Sequence, residues 1–186
     1  MKKVILAIVL FVGVSTAAMY AWNPGYLATY PKCTKGGDWQ INLGIGLPSL
    51  ESGHTLYIPP VRLTFDKNTP LGKGKLPFFF GGLLTFSASK IKANDHIVSN
   101  INAGFRFGYH FNWDVDRLDT YIVSNVGVGL KIANNKLEGN DAFWPAIGTN
   151  IGARWYVSDS FGFWAEGGFG FHDLTPNVNI GFAFKW

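Results

Sequence analysis

Charge is scarce in this chain: Asp, Glu, Lys and Arg make up 15% of 186 residues, against roughly 25% in an ordinary soluble domain. With 47% of its residues apolar, the sequence excludes disorder and does not describe a solvated surface. Cysteine is scarcer still. Cys33 is the only one, which excludes an intramolecular disulfide framework and any multi-cysteine zinc site. Its expected state is a free or buried thiol. Long hydrophobic runs are also missing, since Val4 to Val14 spans 11 residues and a helix needs ~20 to cross a bilayer. After Gly37 almost nothing carries the i, i+3, i+4 apolar spacing of an amphipathic helix. Setting Lys2 and Lys3 aside as part of a leader leaves 14 basic groups against 12 acidic ones. A charge of +2 gives no nucleic-acid footprint.

The basic start, the apolar run and the small residues from Ser15 to Ala21 read as a secretory signal peptide over 1–21. Cleavage after Ala17, Ala18 or Ala21 fits equally. Residues 22–37, with Pro24, Pro31, Gly36 and Gly37, form a lead-in segment on the periplasmic side, and 38–186 form one domain.

What the domain has in abundance is period-two alternation, glycine and aromatics. Gly accounts for 23 residues, and Phe, Trp and Tyr together for 16%. From Trp39 to Leu47 a bulky set (Trp39, Ile41, Leu43, Ile45, Leu47) alternates with Gln40, Asn42, Gly44 and Gly46. The grammar recurs seven more times: Tyr57 to Asp66, past Pro59-Pro60; Phe78 to Ala88; Asn100 to Phe111; Ile122 to Ile132; Ile147 to Val157; Phe161 to Phe171; and Asn177 to Trp186. The third is blurred by consecutive Phe78, Phe79 and Phe80.

A soluble barrel would put the bulky set inside and carry Lys, Glu and Asp outside. Here the small face is mostly Gly and Asn. The fold class that fits is all-β: an eight-stranded antiparallel up-and-down transmembrane β-barrel, with bulky groups facing lipid and a narrow lumen of small residues plus a few charges. Closure pairs every backbone group, as lipid demands. With both termini periplasmic, Phe65, Phe78, Phe111, Trp155, Phe161, Phe184 and Trp186 fall at one rim as an aromatic girdle. Ser158-Asp159-Ser160 is then a tight periplasmic turn and Lys67 to Lys75 an unusually long one. Pro48 to His54, Ser89 to His96 and Ala133 to Asp141 become cell-surface loops.

The stretch from Gly152 to Tyr156, the Ser158-Asp159 turn, the return Phe163 to Gly168, Leu118 to Ile122 and the closing Gly181 to Trp186 resemble small bacterial outer-membrane β-barrel proteins of the OmpX/OmpA-barrel type. That resemblance covers about half of the mature chain. It implies an outer-membrane location, contact with outer-membrane lipid, and recognition by the barrel assembly machinery of the closing strand Phe182, Phe184 and Trp186, where Trp stands in place of the commoner Phe. It implies no particular activity.

Candidate chemistry is sparse. Arg62, Arg106, Lys131, Arg154, Glu166 and Lys185 fall on the small face as a lumenal charge network centred on Glu166. Arg154 and Glu166, opposite or diagonal across a tight hairpin, are predicted to form a salt bridge. Asp66 is placed near a rim. His54, His96 and His172 sit in or beside loops, where Asp95 or Asp173 with Ser99 or Ser52 would be needed to complete a hydrolase set. His110 is read as a hydrogen-bonded lumenal filler. No catalytic set, cofactor motif or metal site emerges. The preferred reading is a non-enzymatic, monomeric outer-membrane barrel with a structural or surface-contact role toward a surface ligand or host molecule. A narrow solute channel is the alternative, and a lipid-modifying enzyme ranks below it.

Overall fold

The computed structural model describes residues 28–47, 53–72, 76–93, 95–133, 136–137, 143–171 and 178–186. The predicted signal peptide, most of the Pro48 to His54 and Ala133 to Asp141 loops, and His172 lie outside them. The strands are β1 (Trp39–Gly46), β2 (His54–Asn68), β3 (Phe78–Ile91), β4 (Ile97–Phe111), β5 (Leu118–Ala133), β6 (Lys136–Leu137), β7 (Phe143–Tyr156), β8 (Phe161–Phe171) and β9 (Val178–Lys185). β6 is a two-residue return of β5, pairing Ala133 with Lys136. The other eight strands form one antiparallel sheet in which strands that follow one another along the chain pair, β4 with β5 among them, and β1 on β9 closes the ring.

Backbone pairing fixes the shape of the closure. Stepping from partner to partner, Asn102 leads through Thr85, Arg62, Gly44, Gly181, Trp164 and Arg154 to Asp119 on β5. The direct partner of Asn102 on that strand is Gly129, so the ladder closes with an offset of ten residues. At normal strand spacing and rise, that offset tilts the strands by about 40° from the barrel axis.

Inside and outside are reversed relative to a soluble protein. The largest fully buried side chains include Arg62, Arg106 and Arg154. On the outside, Phe105 is 82% exposed, Phe169 71% and Ile151 67%. The Phe78–Phe80 ambiguity resolves with Phe79 turned inward, fully buried, and its neighbours outward. Room for Phe79 comes from Gly108, where a Cβ would lie 2.2 Å from the ring. Gly152 stands in the same relation to Tyr121, at 2.2 Å. Glycine on the small face therefore trades volume with a large lumenal neighbour one strand away.

Several predicted boundaries move. β2 starts at His54, before the Pro59-Pro60 pair, and carries register shifts between Leu56 and Ile58 and between Ile58 and Val61. Proline lacks the N–H that a continuous ladder requires, so the strand bulges rather than ends. β3 and β4 run on to Ile91 and from Ile97, which takes Ser89 to Ile91 of the expected Ser89 to His96 loop into strand. The long connection after β2 is itself folded back by a Leu71–Leu76 bridge. The Ser158 to Ser160 turn is tight, with Val157 N–H donating to Phe161 O at 2.9 Å.

Candidate functional site: a closed polar lumen

Three arginines and three carboxylates meet inside the barrel, every one of them buried. Each sits at a lumen-facing position of its strand: Arg62 and Asp66 on β2, Arg106 on β4, Asp119 on β5, Arg154 on β7 and Glu166 on β8. Two centres result. In the first, Glu166 accepts from Arg106 Nη2 at 2.8 Å, the Tyr121 hydroxyl at 2.7 Å and Asn150 Nδ2 at 2.7 Å, and forms an ion pair with Arg62 Nη2 at 2.8 Å. In the second, Arg154 donates to Asp119 at 2.9 Å, Asp66 at 2.7 Å and Asn42 Oδ1 at 2.9 Å. Arg106 Nε, 3.0 Å from Asp66, joins the two. Charge-assisted bonds of this kind hold only where geometry is good, because each ion has left water.

Three expectations change here. Arg154 pairs in register with Trp164, and Glu166 with Gly152, so the two charged residues are diagonal and each finds other partners. Closure brings Asp66 from β2 to Arg154, whose direct cross-strand partner on β5 is Asp119, while Tyr121 and Asn150 already occupy Glu166. Asp66 is fully buried at the junction rather than at a rim, and Asp119, which sequence reading passed over, is a principal member. Of the predicted lysines, Lys185 turns to the Cys33 carbonyl and lies 4.8 Å from the Tyr156 ring. Lys131, near the far end of β5, is half-buried.

His110 completes the second centre. Its Nδ1 lies 2.6 Å from Asp119 Oδ1 and its Nε2 lies 3.0 Å from Asn68 Oδ1. Asn68 donates its Nδ2 to Lys35 O at 3.0 Å, which fixes the oxygen toward the ring. Both ring nitrogens therefore face side-chain oxygens.

Residues 28–37 cover the rim that carries the termini. Tyr30 donates its hydroxyl to Phe78 O at 2.7 Å, and its ring lies 5.5 Å from that of His110. Asn112 Nδ2 holds Thr29 Oγ1 at 2.9 Å and Tyr30 O at 3.1 Å. Lys32 bridges Asp114 and Asp116 at 3.0 and 3.2 Å. Cys33 packs on Tyr156, Trp164 and Ala183. Burial, helped by the charge of Asp119, pushes its thiol up to about 12. Since the thiolate is the nucleophile, Cys33 in the folded protein is expected to resist iodoacetamide at pH 8 and to alkylate on unfolding. Equal rates in both states would place residues 28–37 off the rim.

The predicted girdle residues Phe78, Phe111, Trp155, Phe161, Phe184 and Trp186 surround this same rim, and Phe65 stacks on Trp39 at 4.6 Å. Tyr109 and Trp113 join them, Tyr109 through ring contacts at 5.1 Å with Phe78 and 5.5 Å with Phe111. At the opposite rim, His54 Nδ1 lies 2.9 Å from Ser89 Oγ, and Ser52 lies outside the described residues. Asp95 pairs with Lys90 at 3.0 Å. Among the described residues, no group of three His, Cys, Asp or Glu side chains is placed to hold a metal ion.

No protein-family model matches the chain, and no curated protein matches it in sequence. Among solved structures, it is similar to the outer membrane protein OprG from Pseudomonas aeruginosa, with a TM-score of 0.51 and 12% identity, covering 84% of this chain and 99% of that one. At that identity the likeness is one of fold.

Proposed function

We propose that the protein is an integral outer-membrane barrel with both termini in the periplasm, non-enzymatic and monomeric. Its role is structural, or rests on contact between its far-rim loops and a surface ligand or host molecule. One observation carries the reading: a solvent-excluded, ion-paired interior inside an exposed apolar wall. That wall needs lipid to cover it. A structural role over a channel is supported by side chains from six strands meeting across the interior, with residues 28–37 beneath.

The titratable groups that chemistry would need are spent on one another. The aromatic girdle and the short 158–160 turn support the periplasmic assignment of the terminal rim. The alternating closing strand, ending Phe182, Phe184 and Trp186, supports delivery by the assembly machinery.

Extraction from the outer membrane only by detergent, with faster gel migration before boiling than after, is the expected behaviour. In planar bilayers the purified protein is expected to give no unitary current steps. Recovery in the soluble periplasm without a mobility shift would overturn the membrane assignment. Stable steps altered by Glu166→Gln would replace the structural role with the channel reading.

A further inference from the structure

The three lumenal arginines are not equally satisfied. Arg106 donates both terminal nitrogens to Glu166 and sets its Nε in an ion pair 3.0 Å from Asp66 Oδ1, without hydrogen-bond geometry. Arg154 uses all three nitrogens, on Asn42, Asp119 and Asp66. Arg62 reaches Glu166 with Nη2 alone, while its Nε and Nη1 are buried without an acceptor. A guanidinium has donors only, so those hydrogens call for an electron-rich partner.

Two further groups around Arg62 share the condition. Thr85, its direct cross-strand neighbour, buries a hydroxyl with no partner. Asn125 buries both amide atoms without one. Asn125 also lies level with Arg62 across the lumen. Ladder steps from Arg62 through Thr85 and Asn102 reach Gly129, and the strand tilt lifts that walk by about four residues. Asn125 is four residues back down β5.

Charge points the same way. At Glu166 two guanidinium groups, Arg62 and Arg106, share one carboxylate. The excess sits where donors are idle. We propose that a small inorganic anion of chloride size occupies the lumen beside Arg62, held by its Nε and Nη1, the Thr85 hydroxyl and the Asn125 amide nitrogen. Such an ion offsets the second cation at Glu166 and completes the Arg62 fork, as a carboxylate does for Arg154.

The test uses the detergent-extracted protein crystallised with sodium bromide. An anomalous bromine peak within hydrogen-bond distance of Arg62 Nε or Nη1 is expected. In urea unfolding at matched ionic strength, chloride is expected to raise the midpoint saturably over gluconate. Thr85→Val, which keeps shape and removes one donor, should weaken that chloride dependence about tenfold. Arg62→Met, if it folds, should abolish it. A water in place of bromide would overturn the proposal. So would equal midpoints in chloride and gluconate, or a chloride effect unchanged in Thr85→Val.

Discussion

Replacing Arg154 with Met is expected to lower the unfolding free energy of the barrel by about 3–5 kcal/mol, the cost of orphaning buried charge. Met fills much of the volume, so the loss is electrostatic. Asp66 loses its 2.7 Å partner, Asp119 its 2.9 Å partner and Asn42 the donor at 2.9 Å. The guanidinium also lies 4.2 Å from the Tyr121 ring, a contact worth roughly another 0.5–2 kcal/mol where water is excluded. Urea titration in detergent, followed by tryptophan fluorescence, measures the change. Arg154→Lys restores the charge as a point rather than a fork and should recover less than half of the loss. A loss below about 1 kcal/mol for Met, in the range of exposed ion pairs, would mean that water reaches both carboxylates and the lumen is open.

Gly81→Val is expected to prevent barrel formation, while Gly82→Ala next to it is expected to be neutral or slightly stabilising. A Cβ at Gly81 would stand 2.0 Å from Phe65 O and 2.5 Å from Asp66 Oδ1. The first contact is backbone, so relief requires opening the β2–β3 ladder beside the ion network. That exceeds the usual 1–3 kcal/mol of an overpacked core. Gly82 faces outward, and its nearest contact would be Gly104 O at 3.7 Å. Alanine there restricts the unfolded chain at little cost to the folded one. The unboiled gel band reports both outcomes: Gly81→Val should lack the fast-migrating form and Gly82→Ala should retain it. Normal migration of Gly81→Val would show that the sheet flexes more at this point than its register implies.

Most of the fold was legible because a closed, inside-out barrel writes a period of two into every strand. Legibility failed where one face carried mixed chemistry. Asp119 and Tyr121 are in phase with Asn125, Gly127, Gly129 and Lys131, all turned inward. Extending that phase back past Ile122 would have found Asp119; the apolar residues Tyr121 and Val123 on the polar face hid it. The run Phe78 to Phe80 hid Phe79 for the same reason, since the glycine that admits it, Gly108, lies on another strand. The Arg154–Glu166 salt bridge was misjudged differently. Hairpin counting finds who is near along the chain, while the true partners, Asp66 and Arg62, come from β2 and meet the other strands only through closure. Nothing local in the sequence encodes a contact across a lumen.

The seam between β1 and β9, where Trp39 and Trp186 exchange backbone bonds of 2.9 and 3.1 Å, sets an order of events in time. Every other ladder in the wall joins strands that follow one another along the chain and can zip as a hairpin. The seam joins the two strands farthest apart along the chain, so its loop-closure entropy is lost in a single late step. Until then the growing sheet carries two raw edges, each able to recruit a foreign strand. The interval before the seam forms is therefore when this chain most needs an escort, and the moment of closure is when it ceases to be sticky.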